Sequence, residues 1–283
     1  MSLTGLVLGV ANQRSLAWYS AKSLIRSGKF KRIIVTSLPS HTSKVQKLIA
    51  EYDQDVLNGV EVHHLECDVT CKHSMMQVFE CYKNGLPSLL KYDDEGSNAS
   101  SEDNLGHSKL DCIVHSLAYA PASAMKDADR GLLSCSKEDF DVAHRISAYS
   151  LIEVTRRSLP YLNSPSSIVA MSYLGASRAV PNYNIMGPAK ASLEAISRGL
   201  ALELGKHDIR VNCVSAGPVN TLSARGIRDF SSMKKEIEKS APLRRNVSPD
   251  EVGSTVAFLA SEISSGITGQ TIYVDSGFSV VSG

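Results

Sequence analysis

The sequence predicts an α/β fold: a doubly wound parallel sheet of about seven strands with helices on both faces. Three observations predict it. Short apolar runs alternate with longer segments of helical period. The cores of the short runs are rich in Val, Ile and Leu, as parallel strands covered on both faces require. The 283 residues, 43% hydrophobic and 21% charged, suit one large domain with a full core.

Strands are expected at Thr4–Val10, Arg32–Ser37, Val60–Leu65, Asp111–Ser116, Ser167–Ser172, Ile209–Ser215 and Thr271–Val274. Helices are expected between them, among them Ser15–Ile25, Lys72–Leu90, Lys137–Leu162, Asn184–Gly205 and Pro249–Ser261. Strand–helix alternation of this kind gives right-handed crossovers and a single domain over residues 1–283. Residues 92–107 break the rhythm, being polar, acidic and aperiodic, and read as a solvated surface loop, with a partner-binding segment as the weaker alternative.

Bulk properties exclude several function classes. A net charge of +1 gives no general attraction to nucleic acid or membrane. Aromatics at 6%, with Trp18 the sole tryptophan, leave no base-stacking surface. The six cysteines lack zinc spacing, so no metal site is expected, and they read as free thiols in a reducing compartment. No apolar run reaches the roughly 18 residues of a membrane span. The first strand begins close to Met1, so neither a signal nor a transit peptide is expected. The expected location is cytoplasmic, with the plastid stroma as the alternative had a presequence been removed.

The chain's beginning suits a dinucleotide. Gly9 allows a sharp turn after the first strand, small Ala11 allows close approach of a pyrophosphate, and Ser15 can cap a helix whose N-terminus favours phosphate. By itself this is equally a turn with no ligand, because it is not a full G-x-G-x-x-G. Asp68 follows the third strand and reads either as an acceptor for an adenine amino group or as a helix cap. Ser116 to Ala118 end the fourth strand, and the turn containing Val219 and Thr221 follows the sixth. Four strand ends meeting one ligand favour a Rossmann-type doubly wound sheet with NAD in its crevice. The second strand ends without an acidic residue for the ribose 2′-hydroxyl and without an Arg for a 2′-phosphate, and the reading leans to NADH over NADPH.

The centre of the chain carries Tyr173, Tyr183 and Lys190. Reductases built on one dinucleotide-binding domain usually place their tyrosine four residues before the lysine. Here that position is Met186, which has no proton to give, and the nearest tyrosine is seven residues before Lys190. The shift is expected to move the phenol about one helical turn. Packing alone is the alternative for the two tyrosines.

These segments resemble the enoyl-acyl-carrier-protein reductases of type II fatty-acid synthesis, divergent short-chain dehydrogenases/reductases. The likeness runs through Gly5–Ala17, Cys67–Val69, His115–Pro121, His144–Ser150, Ser172–Ala195, Arg210–Pro218, Ala241–Arg245 and Gly269–Ser279. Its most specific part is the Pro-Asn-Tyr183-Asn-Ile-Met-Gly run with the tyrosine and lysine spacing. The resemblance implies reduction of the carbon–carbon double bond of a trans-2-enoyl thioester by hydride from NADH. It implies that Tyr183 hydrogen-bonds the thioester carbonyl, Lys190 holds the nicotinamide ribose, and Tyr173 is a second active-site tyrosine. It implies cofactor contacts at Gly9, Ala11, Ser15, Leu16, Asp68, Val69, Ser116, Leu117, Ala118, Lys190, Val219 and Thr221. Substrate contacts follow at Ala118, Tyr119, Tyr173, Tyr183 and Met186; residues 221–240, with apolar Leu222, Ile227, Phe230, Met233 and Ile237, read as a helical lid over them or as an ordinary amphipathic helix. An acidic acyl-carrier protein is the implied partner, with Arg225, Arg228, Lys234, Lys235, Arg244 and Arg245 as candidate contacts, and a homotetramer the implied assembly. Ala118 and Ser276 depart from family glycines. The competing readings are a 3-oxoacyl or carbonyl reductase, which needs a tyrosine at position 186, and a catalytically silent NAD-binding protein.

Overall fold

The computed structural model describes residues 2–52, 59–84, 109–126, 131–222, 224 and 228–281. The acidic segment 92–107, the expected helix Lys72–Leu90 beyond Asn84, and Arg225 and Ile227 of the expected lid lie outside them. Seven strands, β1 (Leu3–Leu8), β2 (Phe30–Ser37), β3 (Glu61–Glu66), β4 (Leu110–His115), β5 (Leu162–Ser172), β6 (Ile209–Ala216) and β7 (Thr271–Val274), form one parallel sheet. Its order is β3-β2-β1-β4-β5-β6-β7. Successive strand residues point to opposite faces: Val7 joins one core, whereas Leu6 and Leu8 join the other.

The first core lies under α1 (Leu16–Arg26), α2 (Thr42–Ala50) and α9 (Pro249–Ala260), and the second under α3 (Lys72–Asn84), α6 (Ser150–Ser158) and α7 (Met186–Leu204). Leu24 and Leu259 of the first, and Leu151 and Leu193 of the second, are fully buried. Each such side chain stabilises the fold by about 1.5–3 kcal/mol. Ser248, with Pro249 next to it and Glu251 at the third position, closes a capping box that starts α9.

The expected helix Lys137–Leu162 is instead α5 (Lys137–His144), a π-helical turn at Arg145–Tyr149, α6 and a 3₁₀ turn at Leu159–Tyr161. Within it the Ser150 hydroxyl donates back to the Ile146 carbonyl at 2.6 Å, a bond that loosens regular helix. Pro160 ends it, and Leu162 already belongs to β5. The described chain is completed by α4 (Ala122–Lys126) and α8 (Phe230–Ser240).

Because β1 lies between β2 and β4, the chain leaves β1 toward one edge and returns on its other side. The crevice at the carboxyl ends of β1 and β4 is the switch point where open α/β sheets bind ligands.

Candidate active site

At the switch point Gly9 has φ +97°. A Cβ there would drive into the Ser116 carbonyl oxygen and reach 3.0 Å from Leu117. Glycine is therefore required by backbone conformation and by the approach of β4. The expected cap is corrected: the Ser15 Oγ does not cap α1 but accepts from the N–H groups of Ala11 and Asn12 at 3.0 and 3.1 Å. It thereby shapes the turn and leaves the helix N-terminus without a side-chain cap, free for an anion. Leu16, the first helical residue, packs against the first core.

Asp68 is not the cap of α3, which starts at Lys72; its Oδ1 accepts from the N–H and hydroxyl of Thr70 at 2.8 and 2.7 Å. Among the described residues Oδ2 accepts no hydrogen bond and stays open to an amino donor. Val69 packs against the second core. After β6, Val219 is buried and its carbonyl accepts from Thr221 N–H at 2.7 Å. The Thr221 Oγ1 accepts from Ala224 N–H at 3.2 Å, which leaves its proton available to an anionic oxygen. A required glycine, an uncapped helix start and unused polar atoms at two other strand ends fit a dinucleotide.

The expectation that Tyr183 rides one turn along the helix is corrected, because α7 begins only at Met186. Tyr183 sits in the preceding turn between Asn182 (φ 61°) and Asn184 (φ 38°). Asparagine tolerates the left-handed region better than most residues, which accounts for this tyrosine's flanks. Asn182 Nδ2 donates to the Arg228 carbonyl at 3.3 Å, and Asn184 Nδ2 to the Ala124 carbonyl at 3.2 Å. The Tyr183 ring lies 4.7 Å from that of Tyr173, and a Cβ at Gly175 would collide with it.

Tyr183 is only 8% exposed, and burial first, then Tyr173, pushes its phenol well above its ordinary range. It is a protonated donor at neutral pH, and among the described residues its hydroxyl has no hydrogen-bond partner. Tyr173, pushed up to about 12 by burial first and then Asp275, donates to Met233 Sδ in α8 at 3.3 Å. Lys190 is 4% exposed and donates to the carbonyls of Met171 at 2.7 Å and Leu117 at 3.4 Å. Burial pulls it down to about 8, with Cys213 and Glu194 opposing. The lysine thus ties the ends of β4 and β5 together beside the switch point.

Met186 is 6% exposed, and its sulfur lies 3.9 Å from Ser147 Oγ. That hydroxyl accepts from Tyr119 N–H at 3.0 Å and faces the Tyr119 carbonyl at 3.1 Å. Ser147 therefore fixes the loop beyond Ala118, whose side-chain neighbour Tyr119 is exposed. Sequence reasoning missed Ser147 because a π-helical turn aims it, and that turn has no periodic signature. In the expected lid the α-helix among the described residues is Phe230–Ser240, with Ile237 buried. Among the candidate basic contacts, Arg245 is held by Glu251 at 2.6 and 2.9 Å, Arg228 lies 3.7 Å from Asp229, and Arg244 donates to the Lys239 carbonyl. Ser276 occupies the left-handed region at φ 61°, where a glycine would be the unstrained choice.

The enoyl-(acyl carrier protein) reductase family profile matches residues 95–279. The chain is 41% identical over 277 residues to enoyl-acyl-carrier-protein reductase (NADH) FabI of Bacillus subtilis, covering 97% of this chain and 95% of that protein. It is 40% identical over 279 residues to enoyl-acyl-carrier-protein reductase (NADPH) FabI of Staphylococcus aureus strain MRSA252, covering 98% and 97%. The crystal structure of the Bacillus cereus enoyl-acyl carrier protein reductase with NADP⁺ and indole naphthyridinone superposes with a TM-score of 0.84 at 38% identity, covering all of both chains. Site geometry, sequence and fold agree: the chain belongs to the enoyl-acyl-carrier-protein reductase family.

Proposed function

We propose that this protein reduces the carbon–carbon double bond of a trans-2-enoyl thioester carried on acyl-carrier protein, with NADH as the preferred form of the family's NAD(P) cofactor. The observation that carries the residue assignment is Tyr183: buried, protonated and, among the described residues, without a partner for its hydroxyl. The bound nicotinamide supplies a hydride to the β-carbon of the substrate. Negative charge then gathers on the thioester oxygen, and a fixed phenol donor aimed there lowers the barrier by a few kcal/mol, about 3 for one such donor. Lys190 holds the nicotinamide ribose and adds positive potential beside the developing charge. Tyr173 forms the pocket wall next to Tyr183. Met186 lacks a proton, which argues against carbonyl reduction.

The remaining cofactor contacts follow the strand ends: Gly9, Ala11, Ser15 and Leu16 at the pyrophosphate, Asp68 and Val69 at the adenine, and Ser116, Leu117, Ala118, Val219 and Thr221 toward the nicotinamide half. Support for NADH comes from Glu66, paired in register with Ser37 at the end of β2 and anchored by the Thr42 hydroxyl at 2.5 Å. Its carboxylate stands beside the β2–α2 connection, where it would repel a 2′-phosphate. The segment 221–240 serves as a lid over the acyl chain, with Lys234 and Lys235 facing the acidic carrier. A cytoplasmic homotetramer completes the reading; light scattering tests the assembly.

The deciding assay is NADH oxidation with crotonyl thioester. Tyr183→Phe and Lys190→Met should each lower kcat/KM by about 100-fold or more, in line with loss of one positioned donor. Full activity in either variant overturns that residue's assigned role.

A further inference from the structure

Lys190 has to carry its charge in a place that disfavours charge. Its two hydrogen-bond partners are neutral carbonyls, those of Met171 and Leu117. Few of the ionisable side chains around it help. From β4, His115 is 0% exposed and driven down to about 3 by burial and then Lys190, so it is neutral. From β6, Cys213 is raised to about 11 by burial, and its thiol donates to Ser197 Oγ at 3.0 Å, so it too is neutral near pH 7. From the turn before α7, Tyr183 is protonated, and Tyr173 beyond β5 likewise. Arg198 of α7, which acts on Cys213, is exposed and of the wrong sign. The remaining neighbour is Glu194, four residues along α7 and so on the same helix face as Lys190.

Glu194 is a buried carboxylate, 9% exposed, and among the described residues it forms no ion pair within 4 Å. An acid buried without an ion pair costs stability unless it serves something. Its Oε1 accepts a 2.5 Å hydrogen bond from the hydroxyl of Ser172, itself buried. Ser172 is the last residue of β5, directly after Met171, whose carbonyl accepts the Lys190 hydrogen bond, and directly before Tyr173. The clamp therefore fixes the carboxylate between the lysine's strand contact and the tyrosine pair.

We propose that Glu194 is a positioning residue for this reaction: a buried counter-charge, clamped by Ser172, that keeps the Lys190 ammonium charged and seated to hold the cofactor ribose. This rests on the ribose-holding role given to Lys190 above. Substituting Glu194→Gln preserves volume and can still accept from Ser172, so it removes the charge and little else.

The test is the pH dependence of NADH binding, read by fluorescence titration, alongside kcat and KM for crotonyl thioester. In Glu194→Gln the alkaline loss of NADH affinity should move about one pH unit lower, the scale on which a nearby opposite charge shifts a titration. Glu194→Asp, which keeps a carboxylate, should restore the profile in large part. Ser172→Ala should lower kcat while leaving the profile in place. A wild-type profile in Glu194→Gln overturns the proposal and leaves a structural tie. If Glu194→Gln does not fold, Glu194→Met, of similar volume and without charge, takes its place, and a wild-type profile in that variant overturns the proposal equally. Failure of the underlying reading is separate: it shows as full activity and unchanged NADH affinity in Lys190→Met.

Discussion

Lys190 shows how one residue's surroundings set a pH dependence. Burial lowers its ordinary value of 10.5 to about 8, so the ammonium is present below that pH and neutral above it. In the proposed ribose-holding role, its attraction for the cofactor should be largely present at pH 7 and be lost as pH rises through about 8. A titration of NADH affinity from pH 6.5 to 9.5 (roughly 1.5 units either side, enough to span a single proton loss) checks this. A flat profile would mean that the lysine's charge is not what binds. At this scale the sequence was most legible where chemistry depends on residue type and spacing, as for Tyr183, Lys190 and Gly9. It was least legible where a backbone angle decides the outcome. The left-handed Asn182 and Asn184 place Tyr183 off the helix, and Ser15 turns back toward Ala11 rather than forward.

Elements rest on close approaches that single atoms can spoil. A Cβ at Gly253 of α9 would lie 2.5 Å from Ser23 Oγ and 2.6 Å from the Tyr19 carbonyl oxygen of α1. The nearest backbone atom cannot yield by a rotamer change, so Gly253→Ala should cost about 1–3 kcal/mol as overpacking does. Chemical denaturation would register this as a lower midpoint with an unchanged m-value. All seven strands were legible because a fully covered parallel strand is a short apolar run whatever its tertiary setting. The break of Lys137–Leu162 was not, because the π-helical turn at Arg145–Tyr149 goes with one serine bonding across the sequence to Tyr119 and another bonding back to the Ile146 carbonyl. Periodicity carries no trace of such bonds.

The whole molecule gathers its polar strand ends at one crevice while both cores stay apolar, so cofactor binding should stabilise the entire fold. A ligand at 100 times its Kd adds about 2.7 kcal/mol. Thermal unfolding should therefore shift upward with NADH, and less with NADPH at the same concentration if Glu66 repels the extra phosphate. Equal shifts would refute the cofactor preference. The parallel, doubly wound sheet followed from strand–helix alternation, whereas the strand order and the neighbours of each strand end, Glu66 beside Ser37 among them, needed the structure. One such adjacency bears on the proposed donor. The tyrosine pair and its flank touch the α8 region twice, through Tyr173 on Met233 and through Asn182, next to Tyr183, on the Arg228 carbonyl. Any swing of α8 away from the crevice must break the first tether and strain the second. Met233→Ala should therefore loosen both the seat of α8 and the packing of the two tyrosine rings, so that a change at the outer helix is felt at the proposed donor without touching it.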